Sequence, residues 1–161
     1  MNRNLFFPLA ILLLWAGFVS SISFMEAWVK FRAEGVTLSV GLSIGMKVFT
    51  ALNRMEWVFL ALFIIASIAG RTSDRIFRAI TAIVLGILLV QTFWLLPDLS
   101  GRAIRIIAGE QPPRSFTHVL FGVVEVAKVV TLAAGAWLFF RKCSSNGNTL
   151  LLGKEVNHER Q

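Results

Sequence analysis

The stretch from Thr117 to Phe140, THVLFGVVEVAKVVTLAAGAWLFF, decides how this chain has to fold. It is long enough to cross a bilayer, whose hydrocarbon layer takes about 20 helical residues, yet it carries Glu125 and Lys128 near its middle. Three residues apart, the two side chains stand about 60° apart around a helix and reach one another. Each charge at the centre of a bilayer costs roughly 2.5–3.5 kcal/mol. Both must therefore face protein, water or a ligand, and the rest of the chain has to supply that shelter.

Composition points the same way. A hydrophobic share of 56% over 161 residues exceeds what a soluble core of this length needs, and four runs of about 20 apolar residues fit, leaving no room for a separate soluble domain. The net charge of +7 would suit nucleic acid, but the Lys and Arg residues gather in the short connections between apolar runs. That pattern belongs to membrane topology and anionic headgroups, so the predicted partner is the lipid bilayer and not nucleic acid. A single cysteine, Cys143, excludes an intrachain disulfide and paired-thiol redox chemistry within one chain. It reads as a free thiol just beyond the last span.

In chain order, a polar start with Arg3 leads into a first span at about 5–25, longer than the apolar core of an ordinary secretory signal and so read as retained. Pro8 falls in its first turns, where a missing N–H does least harm. Glu26 and Lys30 follow as an i, i+4 surface pair, and Gly35 stops the helix. Next, VTLSVGLSIGMKVFTALNR reads as an amphipathic helix with Val40, Ile44, Val48 and Phe49 on one side. Whether residues 40–53 lie in the interface, re-enter, or run straight into the second span at about 55–70 is left open by the residues. The basic turn RTSDRIFR leads to a third span at about 79–96, stopped by Pro97, with a short amphipathic helix near Ala103–Ala108. Pro112 and Pro113 precede the last span at about 117–140, and residues 143–161 read as a mobile polar tail.

The predicted fold is therefore all-α: a single-domain, integral membrane four-helix bundle of residues 1–142, with an additional amphipathic helix between spans one and two. The density of Arg3, Arg71, Arg75, Arg78, Arg141 and Lys142 close to the spans favours cytoplasmic termini. Compact loops without disulfides lean towards a bacterial inner membrane.

The polar residues are uneven along this bundle. Asn53 and Glu56 open span two, Gln91 lies late in span three, and His118, Glu125 and Lys128 occupy the first half of span four. All fall in the outer half, with Trp28, Trp57 and Trp94 as an interfacial belt, while Phe59–Ile68 and Ala79–Leu89 carry almost nothing ionisable. These residues predict an outward-facing polar pocket, with Glu125, Lys128, His118, Glu56, Gln91 and Asn53 as candidate binding residues. Each also has a purely structural reading. Glu125 and Lys128 neutralise one another and lock register, Glu56 sits favourably at a helix N-terminus, Gln91 bonds across helices, and His118 is a solvated interfacial histidine. Dispersed carboxylates with one internal histidine make no metal site, no cofactor is implied, and no nucleophile–base arrangement presents itself. The leading expectation is a non-enzymatic membrane protein that binds or passes a small polar species or a proton, with a homodimer or a membrane partner completing a path. The alternatives are a membrane-embedded enzyme acting on a lipid-soluble substrate and an accessory subunit of a membrane complex.

Three features, FMEAWVKFRAEGVTL after the first span, VGLSIGMKVFTALN before the second, and a histidine opening the last, together resemble the small four-span membrane protein family of unknown function that includes transmembrane protein 205. The resemblance implies a four-helix integral membrane protein and no particular activity. The chain departs from that family's pattern in its last span, where Gly122 comes four residues after His118 and Glu125 and Lys128 follow.

Overall fold

The computed structural model describes the backbone of residues 3–72, 74–113 and 115–158, and their side chains except at 3, 4, 26, 27, 143 and 145–158. The pairing of Glu26 with Lys30, the Cys143 thiol and the side chains of the tail therefore lie outside the described residues. All regular structure among the described residues is helical, and it forms four long helices: Leu5–Arg32, Leu38–Ala69, Arg75–Ile107 and Thr117–Lys142. By length and composition each is long and apolar enough to cross a membrane. The backbone of the fourth remains helical to His158.

Short connections force neighbours to run antiparallel. The first ends in a tight turn at Lys30–Arg32, after which Gly35 takes φ +78° and Thr37 caps the second helix by accepting from the Val40 N–H. At the other end, Asp74 caps the third helix by accepting from the Phe77 N–H at 3.0 Å, and it pairs with Lys142 of the fourth. Each helix packs on its two neighbours, the first against the fourth and second, the third against the second and fourth. Leu5, Leu9, Leu12, Trp15 and Val19 form one buried stripe at helical spacing, and Phe77, Ile80, Val84 and Leu88 form another. The fourth helix buries Phe121, Glu125, Lys128, Leu132, Ala136 and Phe139. Its two charges thus occupy core positions of an otherwise apolar seam.

Two expectations from the sequence are corrected. The amphipathic stretch 40–53 is not an additional helix; it is the first part of the continuous helix Leu38–Ala69. No breaker intervenes, and its two glycines are kept by close contact: a Cβ at Gly41 would collide with the Phe31 ring, and one at Gly45 would come within 2.7 Å of Lys30 Nζ. Nor does Pro97 end the third helix. The preceding turn, Gln91–Leu95, is π-helical, with the Leu96 N–H reaching back to the Gln91 carbonyl, and Pro97 falls in the first turn of the segment Leu96–Ile107, where the wider winding before it accommodates a residue without an N–H. A second π-helical turn, Ser21–Glu26, widens the first helix.

The glycine contacts give opposite expectations for one substitution. Gly41→Ala must push aside the half-exposed Phe31 ring, and the loss of that ring packing outweighs the gain in helix propensity of about 1 kcal/mol and lowers stability slightly. Gly86→Ala meets nothing within 4 Å and gains roughly 0.5–1 kcal/mol. Thermal unfolding of the two purified variants beside the parent measures both signs.

Candidate functional site

The charges predicted from the fourth helix meet partners from every other helix. Lys128 Nζ donates to Glu56 Oε1 at 2.5 Å, to Gln91 Oε1 at 2.7 Å and to Glu125 Oε1 at 3.0 Å. An ammonium has three N–H donors, so this one is fully matched. Gln91 Nε2 in turn donates to Glu125 Oε1 at 2.6 Å. From the first helix, the Ser23 hydroxyl donates to Glu125 Oε2 at 2.8 Å and the Trp15 indole N–H to Glu56 Oε1 at 3.4 Å. Glu56, Gln91 and Glu125 are each 1% exposed and Lys128 is 0% exposed.

The backbone makes this convergence. Both π-helical turns lie at the level of the cluster, and each brings a side chain to the same carboxylate, Ser23 in the first helix and Gln91 in the third. A wide turn adds a residue to the helical repeat and re-aims the side chains within it. Glu56 lies in the interior of the 32-residue second helix, far from the N-terminus at Leu38. Its reading as a carboxylate held by a helix dipole is therefore corrected: what holds it is Lys128.

Asn53, one turn from Glu56, belongs to an adjoining chain of hydrogen bonds. The Trp57 indole donates to Thr92 Oγ1 at 3.1 Å, and that hydroxyl donates to Asn53 Oδ1 at 3.0 Å. Among the described residues Asn53 Nδ2 is buried without a partner. His118 shares the seam of Glu125 and Lys128 but lies two turns away, about 10 Å along the axis at 1.5 Å per residue, where it is exposed and lines a cavity.

That cavity, of about 430 Å³, lies between the starts of the second and fourth helices and the end of the third. A second, of about 370 Å³, lies beside Met46 and Arg54. None of Glu56, Gln91, Glu125 and Lys128 lines either one. Phe49 and Phe121, with ring centroids 5.1 Å apart, stand between the larger cavity and the charges. Of the six residues expected to share one pocket, four meet in a closed polar centre, Asn53 stands beside it, and His118 faces different space.

Sequence reasoning missed Trp15, Ser23 and Thr92. The one available signal was Trp15, an indole donor deep in the first apolar run, well away from the interfacial level where tryptophan gathers. Among the described residues no three His, Cys, Asp or Glu side chains gather as a metal site would require. What the arrangement offers chemically is two carboxylates, one ammonium and a set of neutral donors.

Lys128→Met leaves Glu56 and Glu125 facing each other without their counter-ion and lowers stability by about 3–5 kcal/mol. Adding Glu56→Gln recovers part of that loss, because a neutral amide replaces one of the stranded charges. Gln91→Leu removes a partner from both Lys128 and Glu125 and costs about 1–3 kcal/mol for each group left unmatched. A double-mutant cycle read by denaturant or thermal unfolding gives these terms. Compared with known proteins, the chain matches no family model, no curated protein and no solved structure.

Proposed function

We propose that the chain is an integral membrane protein whose four helices cross the bilayer as a bundle, and that the Glu56–Lys128–Glu125 cluster binds and passes a proton. The membrane part is supported by where the apolar surface lies. Leu14, Ile65, Val90, Val130 and Trp137, on all four helices, are exposed at the flanks; this is surface a hydrocarbon solvent accepts and water does not. The denser basic residues beside the ends at Arg3, Arg71–Arg78 and Arg141–Lys142 support cytoplasmic termini, and the compact loops without disulfides support a bacterial inner membrane. The resemblance to the four-span family belongs to the same reading.

Charge balance is the observation that carries the proton. Two buried carboxylates face one buried ammonium, so with all three ionised the centre holds one negative charge too many. Uncompensated charge in such surroundings costs several kcal/mol. A single proton shared by Glu56 and Glu125 removes the excess. It is also the one cation that needs no space, and the centre lines neither cavity. Ser23 supplies the contact with the outside: the residue is half-buried, its hydroxyl donates to Glu125 Oε2, and a hydroxyl is able to accept as well as donate, as a relay must. The Asn53–Thr92–Trp57 chain offers a second line of hydroxyl and amide groups beside Glu56.

A structural clasp is the competing reading, favoured by the complete matching of the Lys128 ammonium. The two differ in what the carboxylates do when pH changes. Under the proton reading, infrared difference spectra of the reconstituted protein after a pH step show one carboxylic acid C=O band per chain. That band is lost in Glu56→Gln and in Glu125→Gln, because the remaining carboxylate and Lys128 then balance without a proton, and proteoliposomes with an imposed potential show proton flux that Ser23→Ala slows. A cluster with no titrating carboxyl and no flux above empty liposomes is a clasp. Retention in the membrane fraction after alkaline extraction tests the membrane part separately.

A further inference from the structure

We propose that the larger cavity is a site for an anionic lipid, one acyl chain lying inside it and the phosphate meeting Lys30, Arg102 and His118. The lining is a nearly continuous apolar wall in which Leu42, Met46, Leu99, Ile106, Phe49 and Phe121 take part. A volume of about 430 Å³ falls in the range of roughly 300–1,000 Å³ typical of small-molecule sites. Lys30, Arg102 and His118 interrupt the wall. An occupant that fits has a long apolar body and an anionic head.

Each basic group is held in place. Lys30 Nζ lies 5.3 Å from the ring centroids of both Phe31 and Phe49, against the bare backbone of Gly45. Arg102 donates through Nε to Asp98 at 3.1 Å and through Nη1 to the Pro113 carbonyl at 2.9 Å, two of the five N–H donors of a guanidinium. The fork is thereby fixed with further donors to offer, the geometry that suits a phosphate. Helix length gives the depth. The second helix has 32 residues and reaches about 48 Å at 1.5 Å per residue, some 18 Å beyond a hydrocarbon layer of about 30 Å. The excess falls at the end that carries Leu42, Gly45 and Met46, because Lys47 and Arg54 lie on that side while residues 57–69 carry no charge. The cavity mouth thus lies at headgroup level. This inference rests on the membrane part of the proposed function and is independent of the proton.

Native mass spectrometry of the full chain in detergent, titrated with phosphatidylglycerol, phosphatidylcholine or inorganic phosphate, tests the site. One phosphatidylglycerol should be retained per chain, bound at least about tenfold more tightly than phosphatidylcholine. Met46→Trp fills the cavity and His118→Glu sets a negative charge at its rim; each should weaken binding by about tenfold or more. His118 is exposed, so that variant remains informative should the bulkier one misfold, and the helical circular dichroism of both identifies folded protein. Equal retention of the two lipids overturns the anionic half of the proposal. Equal competition by inorganic phosphate overturns the acyl half, and undiminished binding to both folded variants overturns the location. A chain that stays soluble without detergent overturns the membrane reading itself, whereas a detergent-dependent chain without lipid preference overturns the lipid site alone.

Discussion

The ammonium of Lys128 binds the molecule together because it sits where three helices have each delivered an acceptor. Nothing else available to an apolar seam could hold it: an ammonium in a low-dielectric interior needs every proton matched, and Glu56, Gln91 and Glu125 provide one oxygen each. The requirement is mutual. Without Lys128 the two carboxylates have no counter-ion, and without the carboxylates the lysine has no reason to point inward. The axial register of the second and third helices against the fourth follows from satisfying this one group, since sliding either by a turn separates its acceptor from the nitrogen by about 5.4 Å.

Around that centre the molecule is divided along its length. On one side Phe63, Phe77, Ile80, Leu132 and Phe139 pack as a dry core, tight enough that a Cβ on Gly135 would come within 2.7 Å of Ile80 Cδ1. On the other, the Phe49–Phe121 contact gives way to open space edged by basic groups. A polar centre between a sealed half and an open half has unequal access to the two sides, and that asymmetry is what the proposed proton chemistry would use.

The sequence made some of this legible and hid the rest for physical reasons. Glu125 and Lys128 announced themselves because charge in an apolar run has no bland address, and helical spacing was enough to pair them. That Glu56 and Gln91 lie at a similar depth followed from counting residues along antiparallel helices. The continuity of Leu38–Ala69 is left open by the sequence because Asn53, Arg54 and Glu56 put polar residues where the amphipathic stretch meets the apolar run; in the structure no break occurs there, and Gly41 and Gly45 are contact points for Phe31 and Lys30. A second span beginning near Glu56 makes that residue a terminal carboxylate; the continuous helix makes it a buried partner of Lys128. Pro97 looked like a stop because its missing N–H is costly in a regular helix, and the π-helical turn before it removes the cost. Ser23 and Thr92 gave no warning at all, since small hydroxyl residues are common in apolar helices and only tertiary contacts separate the partnered ones from the rest.

The π-helical turn at Gln91–Leu95 also constrains how this chain is able to vary. A wide turn is equivalent to one residue inserted into an α-helix and absorbed there: its larger repeat lets five residues turn about as far as four do in regular winding, so the faces on either side stay aligned. Removing one residue from Gln91–Leu95 would therefore restore regular winding and leave Leu99, Ala103 and Ile106 close to the cavity they now face, while the side chains inside the turn, Gln91 and Thr92, would be aimed elsewhere. Point substitutions near Gln91 and single-residue deletions near Gln91 are thus different kinds of event: the first alters one hydrogen-bonding group, the second closes the wide turn that presents it. The bundle would survive such a deletion better than its polar centre.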